Sequence, residues 1–217
     1  MSEGIRGVIF DMDGLLFDSE RLGVEVILRS GIRQGRPIPR EVILATLGMT
    51  NTISKPYYRE KVPGIDPERL FEDFGLGMRA LAEESRIPLK KGARELLERL
   101  KERKIPCAVA SSSPEDYVRL YLRSQNITDR FDVILGGPKG VRSKPEPDIF
   151  LLAAQRLGLE PARCLVLEDS RNGVRAGRAA GMTVCMVPDI LPFTEELAPY
   201  VDCVAEDLNE VKEKYFG

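Results

Sequence analysis

Acidic side chains follow two apolar segments of this 217-residue chain. The run GVIF is followed by Asp11 and Asp13, and the run CLVL by Glu168 and Asp169. Two carboxylates about 4 Å apart repel each other by about 4 kcal/mol at an effective dielectric near 20. If these four acids share one crevice, we expect a cation among them.

A hard divalent cation suits carboxylate ligands best. Mg²⁺ prefers one or two carboxylates and completes its shell with water and substrate phosphate oxygens. Lys144 in the segment SKPEPD would add a second positive charge, and Ser111 and Ser112 after the run CAVA would add donors for an anion. A metal ion, a lysine and hydroxyl groups around one pocket indicate chemistry on a phosphoryl group.

The spacing of Asp11 and Asp13 suits a two-step phosphoryl transfer. Side chains two residues apart at the end of a strand project to the same side. One carboxylate would attack phosphorus and form an aspartyl-phosphate, which divides a difficult displacement into two easier ones. The other would protonate the leaving oxygen and later deprotonate the attacking water.

Each of these residues also has a purely structural explanation. Asp and Ser are common after strands because they cap the next helix. Helix capping and phosphate binding explain the serines at 111–113 equally well. A single lysine such as Lys144 is more often a solvated surface charge. Helix capping does not explain the concentration of carboxylates.

The hydrophobic pattern predicts the elements that would bring these residues together. Helical segments and short apolar runs alternate from about Lys90 onward. Helices are expected at 93–104, 114–125, 146–158 and 172–181, and strands at 105–113, 131–137, 163–170 and 182–188. Strands that are apolar on both faces and separated by helices indicate a parallel sheet covered on both sides. With a first strand at 5–10, we predict a doubly wound, Rossmann-like α/β core that binds ligands beyond the carboxyl ends of its strands.

The segment from about 18 to 87 breaks this rhythm, because it looks helical and contains no convincing strand. We therefore predict an α-helical cap domain at 18–87, inserted into a catalytic core formed by 1–17 and 88–217. The GLG at 75–77 does not predict a dinucleotide site, since no strand precedes it and the third glycine is missing.

Composition and charge argue against several other classes of protein. Hydrophobic residues make up 43% and charged residues 30% of the chain, which is typical of an ordered globular protein. The net charge of −2, with basic residues scattered among acidic ones, argues against a nucleic-acid partner. No apolar run reaches the roughly 18 residues of a membrane span, so we expect a cytoplasmic protein with no membrane partner. A monomer is the default expectation.

The absence of histidine narrows the possible chemistry. It excludes His-activated nucleophiles and His-ligated zinc. The four cysteines lack C-x-x-C spacing and lie in apolar segments, so we expect buried free thiols: Cys107, Cys164, Cys185 and Cys203.

The same segments resemble the motifs of the haloacid dehalogenase superfamily, in its branch with a helical cap. DMDGLLFDSE is similar to the first motif, the serine of VASSS to the second, SKPEPDIF to the third and LEDSRNG to the fourth. The resemblance covers nearly the whole chain in the right order. It implies that Asp11 is the nucleophile and Asp13 the general acid and base.

The resemblance also implies the binding groups. Ser111, Ser112 and Lys144 would hold the phosphoryl group, and the helical insert would close over the pocket. The implied ligands of Mg²⁺ are Asp11, Asp169, Glu168 and the backbone carbonyl of Asp13. The implied substrate-selecting loop contains Gly48, Met49, Thr50 and Asn51.

Within that branch, the chain resembles both the beta-phosphoglucomutases and the pseudouridine-5′-phosphatase-like hydrolases. Gly23 and Asn51 stand where the mutases carry a cap-side His and an Arg, which favours the hydrolases. We expect a Mg²⁺-dependent phosphatase of a small phosphomonoester, such as a sugar phosphate or nucleoside monophosphate. A phosphosugar mutase is the alternative.

Two further alternatives fit the sequence less well. A dehalogenase would give Asp13 no leaving oxygen to protonate. A receiver-type binding module also combines acids, a phosphorylated Asp and a Lys on a doubly wound sheet, but it lacks the residue corresponding to Asp13 and the long helical insert.

Overall fold

A computed structural model describes residues 4–49, 51–137 and 140–217. The chain divides into two compact units. The larger unit comprises Met1–Asp18 and Pro88–Gly217, and the smaller comprises Ser19–Ile87. The larger unit is built around a sheet, whereas the part of the smaller unit that the structure describes contains helices and turns without a strand.

The sheet contains six parallel strands among the described residues. They are β1 (Gly7–Phe10), β2 (Cys107–Ser111), β3 (Val133–Gly136), β4 (Cys164–Glu168), β5 (Thr183–Met186) and β6 (Cys203–Val204). Their spatial order is β3-β2-β1-β4-β5-β6. The order reverses at β1, which creates the switch point where doubly wound sheets bind ligands. The predicted fold class is confirmed.

Strands β1, β2 and β4 are buried at every residue. This explains why they appear in the sequence as continuous apolar runs rather than as alternating patterns. Phe10 pairs with Val109 on one side and with Leu167 on the other. This register carries Asp11 to the level of Glu168 at the ends of neighbouring strands.

The helices of the smaller unit are α1 (Ser19–Arg33), α2 (Arg40–Leu44), α3 (Asn51–Lys61) and α4 (Pro67–Glu83). Helix α4 begins at a capping Asp66, whose side chain accepts from Arg69 N–H, and Pro67 occupies its first turn. A Cβ at Gly77 would lie 2.7 Å from Val26, so this glycine permits α1 and α4 to pack closely. The GLG segment therefore lies inside a helix.

The helices of the larger unit are α5 (Ala93–Glu102), α6 (Glu115–Ser124), α7 (Asp148–Leu157), α8 (Arg171–Ala179) and α9 (Leu208–Phe216). The predicted helix at 146–158 forms as α7 and ends at Gly158, whose φ of 70° suits a glycine. Ser170 caps α8 by accepting from Gly173 N–H at 3.0 Å. Helices α3 and α9 and strand β6 were not predicted from the sequence.

The cysteines are buried free thiols, as expected. No helix formed by the described residues is long and apolar enough to cross a membrane.

Candidate active site

The turn after β1 holds the first two acids. Backbone N–H groups of Leu16 and Phe17 donate to Met12 O at 3.0 and 3.1 Å, which closes the turn around Met12. Met12 is 1% exposed, so its side chain points into the core between the two carboxyl residues. The carboxyl groups of Asp11 and Asp13 instead meet polar partners, Lys144 and Ser113 respectively.

Three buried carboxyl groups converge where β1 and β4 end. Carboxylate oxygens of Asp11, Glu168 and Asp169 all lie within 4.8 Å of one another. Their relative exposures are 8%, 0% and 5%. The parallel register explains the convergence, because it brings the two strand ends to the same level.

Lys144 supplies a positive charge to this cluster. Its Nζ donates to Glu168 Oε1 at 2.7 Å, to Ala110 O at 3.2 Å and, at short range, to Asp11 Oδ1. The ammonium also lies 4.7 Å from the centre of the Phe150 ring. The side chain is 6% exposed, so Lys144 is a buried member of the cluster and not a solvated surface charge.

Glu168 has hydrogen-bond partners at both oxygens. Oε1 accepts from Lys144, and Oε2 accepts from Asp169 N–H at 3.0 Å and from the N–H and hydroxyl of Ser170, both at 2.9 Å. A Cβ at Gly173 would lie 1.8 Å from Glu168 Cδ. Only glycine at position 173 leaves room for this carboxylate at the start of α8.

The serines after β2 form the other side of the site. Ser111 is 1% exposed, and its Oγ accepts from Ser113 N–H at 3.0 Å. The Ser113 hydroxyl in turn donates to Asp13 Oδ2 at 2.8 Å. Ser112 is exposed. Because Ser111 Oγ already accepts one bond, its own proton can be donated to an anion.

Burial and charge determine the protonation of this cluster. Burial raises the pKa of Asp11 to about 8, with Lys144 opposing the shift and the charges of Glu168 and Asp13 adding to it. Burial alone would lower the pKa of Lys144, but the negative charges of Asp11 and Glu168 outweigh this effect. The pKa of Lys144 is therefore raised. Lys144 therefore stays protonated, whereas Asp11 takes up a proton more readily than an exposed carboxyl group as long as no further cation offsets the charges of Glu168 and Asp13.

The donor set fits a divalent metal ion. Carboxylate oxygens are the ligands that hard cations prefer. Among the residues that the structure describes, the ammonium group of Lys144 faces the three carboxyl groups of Asp11, Glu168 and Asp169. A divalent cation would compensate the excess negative charge.

The structure brings together most of the residues singled out in the sequence. Asp11, Glu168, Asp169 and Lys144 form one cluster. Asp13 and Ser111 are linked through Ser113.

The residues of the loop assigned to substrate selection lie in the smaller unit. Gly48 has a φ of 76°, Met49 is 39% exposed and Asn51 begins α3. Thr50 lies outside the described residues. The role of this loop stays a prediction.

Three residues that shape the site were given no role from the sequence: Phe150, Ser170 and Gly173. Two of them had a recognisable signal. Ser170 and Gly173 have the spacing of a helix cap and its N3 residue directly after the acids of β4. The contact of Phe150 with Lys144 had no recognisable signal in the sequence, because it depends on how α7 packs against the sheet.

A family model described as haloacid dehalogenase-like hydrolase matches residues 5–181. The chain belongs to this family. Among curated proteins it is similar to the "Probable pseudouridine-5′-phosphatase" of Drosophila melanogaster, with 36% identity over 96% of this chain and 92% of that protein. It is also similar to Hexitol phosphatase B of Escherichia coli K12, with 35% identity over 85% of this chain and 84% of the relative.

Solved structures of the family have the same fold. CbbY from Rhodobacter sphaeroides in complex with phosphate matches with a TM-score of 0.81 and 27% identity, over 95% of this chain and 96% of that chain. Beta-phosphoglucomutase from Clostridium difficile matches with a TM-score of 0.76 and 25% identity, over 97% of both chains. The predictions of the family and of an enzyme that hydrolyses phosphomonoesters are confirmed.

Proposed function

We propose that this haloacid dehalogenase-like hydrolase is a Mg²⁺-dependent phosphatase that acts on a small phosphomonoester through an aspartyl-phosphate. The observation that supports it most directly is the buried cluster of Asp11, Glu168 and Asp169 around Lys144. The proposed substrates are sugar phosphates or nucleoside monophosphates. The names of the similar phosphatases support this class.

Asp11 is the proposed nucleophile. Its ion pair with Lys144 fixes one carboxylate oxygen, and its position at the end of β1 directs the group beyond the sheet edge. Attack on phosphorus forms the aspartyl-phosphate and breaks the bond to the leaving oxygen. Asp13 donates a proton to that oxygen and later removes one from the water that hydrolyses the intermediate.

The proposed Mg²⁺ ligands are the carboxylates of Asp11 and Asp169 and the backbone carbonyl of Asp13. When bound, a divalent cation stabilises the charge on the phosphoryl oxygens. Glu168 belongs to the same cluster. Since both of its oxygens accept hydrogen bonds, we assign it chiefly to orienting Lys144 and the turn at Ser170.

Ser111, Ser112 and Lys144 are the proposed phosphate-binding residues. The buried Ser111 hydroxyl can donate its proton to a phosphoryl oxygen. Lys144 adds positive charge close to Asp11, where the phosphoryl group would be transferred. The helical segment 18–87 is the proposed cap, and its loop with Gly48, Met49, Thr50 and Asn51 is proposed to select the substrate.

The test is a panel of phosphate esters incubated with the purified protein and Mg²⁺. Release of inorganic phosphate from small phosphomonoesters, stopped reversibly by excess chelator, is the expected result. An isomerised phosphosugar without phosphate release would instead establish the mutase. A stable phosphoprotein without turnover would contradict both enzymes and support a binding module.

A further inference from the structure

Ser113 contacts both the proposed acid/base and the proposed phosphate-binding hydroxyl. Its own hydroxyl donates to Asp13 Oδ2 at 2.8 Å. Its backbone N–H donates to Ser111 Oγ at 3.0 Å. The sequence separation of Ser113 and Asp13 is 100 residues, so the contact exists only because β1 and β2 are neighbours in the sheet.

The backbone of Ser113 is fixed by the end of β3. Gly137 N–H donates to Ser111 O at 3.0 Å. A Cβ at Gly136 would lie 2.7 Å from Ser113 O and 2.6 Å from the nitrogen of Glu115, so this turn packs directly on the glycine backbone. The Ser113 hydroxyl is therefore a donor held in one place.

The residue that receives this hydrogen bond is also held. Asp13 forms a parallel bridge with Phe17, and Gly14 N–H donates to Phe17 O at 3.0 Å. A fixed donor that faces a carboxyl group on a fixed turn restricts rotation of that group about its Cβ–Cγ bond. The hydrogen bond from Ser113 thus contributes to the orientation of the Asp13 carboxyl group.

We propose that Ser113 is a positioning residue that determines which oxygen of Asp13 carries the transferred proton. This inference rests on the phosphatase function proposed above. A hydroxyl that donates to Oδ2 favours the proton of the neutral acid on Oδ1. As Asp11 bonds to phosphorus and the phosphorus–oxygen bond of the ester breaks, Oδ1 gives its proton to the leaving oxygen.

The second half of the reaction restores the starting state. Oδ1 accepts a proton from the attacking water while the new phosphorus–oxygen bond forms and the bond from phosphorus to Asp11 breaks. Phosphate and the free Asp11 carboxylate result. Ser113 keeps its own proton throughout and forms no bond to substrate.

Leaving groups of different basicity separate this role from phosphate binding. An alkoxide needs a proton as it leaves, whereas p-nitrophenolate leaves as a stable anion. The ratio kcat/KM includes only the steps up to departure of the leaving group, so it reports the first proton transfer. Loss of a residue that positions the acid should lower kcat/KM for an alkyl ester and change it little for p-nitrophenyl phosphate.

The experiment compares Ser113→Ala with the unmodified enzyme on a polyol monophosphate and on p-nitrophenyl phosphate. General acid–base catalysis contributes about 10²–10⁴-fold, so loss of its orientation should lower kcat/KM for the alkyl ester roughly 30-fold. The value for the aryl ester should fall less than about 3-fold, since that step needs no acid. Equal losses for both esters, or no loss for either, would overturn the proposal.

Two further variants control this comparison. Ser113→Thr keeps a hydroxyl and should recover most of the alkyl-ester activity. Ser124→Ala removes a hydroxyl that donates to Tyr121 O at the far end of α6, and should leave both values unchanged. If Ser113→Ala is partly unfolded, kcat/KM falls by the same factor for both esters. The ratio of the alkyl-ester value to the aryl-ester value therefore still tests the proposal. If the unmodified enzyme releases no phosphate from any ester, the proposed function itself is wrong.

Discussion

The two sides of the candidate site hold their side chains by different kinds of interaction. Beside β1 and β4, Lys144 is buried between the carboxylates of Asp11 and Glu168. Beside β2, the contacts of Ser111 and Ser113 involve neutral donors, with a carboxylate only at Asp13. The first side is a buried ion cluster, and the second is a partly exposed hydrogen-bonded turn.

This difference predicts unequal consequences of losing one partner. Leaving a buried charge unpaired costs about 3–5 kcal/mol, whereas losing one neutral hydrogen bond costs about 1 kcal/mol. The ion cluster should therefore contribute to both stability and catalysis. The serine turn should affect catalysis with little effect on stability.

The largest effect is expected from removal of the proposed nucleophile. Asp11→Asn should reduce phosphate release by at least about 10⁴-fold, because an amide cannot form the aspartyl-phosphate. The far-UV circular dichroism should be unchanged. Asp129→Asn is the matched control, since its side chain is 66% exposed, and it should keep full activity. Turnover near the normal rate in Asp11→Asn would contradict the assignment.

Removal of Lys144 tests the comparison directly. In chelator, Lys144→Ala should lower the free energy of unfolding by about 3–5 kcal/mol, because Asp11 and Glu168 lose the ammonium between them. Ser111→Ala should lower it by about 1 kcal/mol. Urea unfolding measures both, and Mg²⁺ should recover more stability in Lys144→Ala than in Ser111→Ala. Equal losses in the two variants would remove the distinction between the two sides.

The packing of Glu168 gives a smaller, purely steric effect. Gly173→Ala places a methyl group 1.8 Å from Glu168 Cδ and should lower the free energy of unfolding by about 1–3 kcal/mol and reduce the activity. In Gly177→Ala, the nearest atom is the Val184 methyl group at 2.9 Å. Gly177→Ala, in the same helix, should therefore lower the free energy of unfolding less than Gly173→Ala does and keep more activity. The reverse order in thermal unfolding would show that Glu168 can move freely.

The smallest effect concerns cysteines outside the site. Burial raises the pKa of Cys107 to about 12, assisted by Asp132, and that of Cys164 to about 11. At pH 8, iodoacetamide should therefore modify these two thiols at least about 100-fold more slowly in the folded than in the unfolded protein. Mass spectrometry of the alkylated peptides measures this. Rapid modification of either thiol would contradict its assigned environment.

The pH dependence of stability follows from the same shifts. A thiol whose pKa is raised by folding stays neutral to higher pH in the folded state than in the unfolded state. The contribution of Cys107 and Cys164 to stability is therefore complete below the ordinary thiol pKa of 9.0 and falls as pH rises above it. Urea unfolding between pH 8 and pH 10 should show this decline, and cysteine-to-alanine variants should show less of it.

Local patterns predicted the elements with strong periodicity but not the weaker ones. The predicted helix at 93–104 appears as α5, whose apolar residues recur at helical spacing. Helix α3 was not predicted, because it contains Pro56 and is rich in polar residues. Strand β6 has only two residues, and its pairing with β5 gives it the strand conformation that its own sequence does not specify.

The sequence by itself determined the parallel sheet and the placement of Asp11, Glu168 and Asp169 at its carboxyl edge. Strands that are apolar on both faces have to be covered by helices, and the ends of parallel strands share one edge. Only the tertiary structure decided that Lys144 is buried against Asp11, 133 residues away, and that Ser113 holds Asp13 across 100 residues. Such contacts depend on register and packing between distant segments, which hydrophobic periodicity and residue type do not specify.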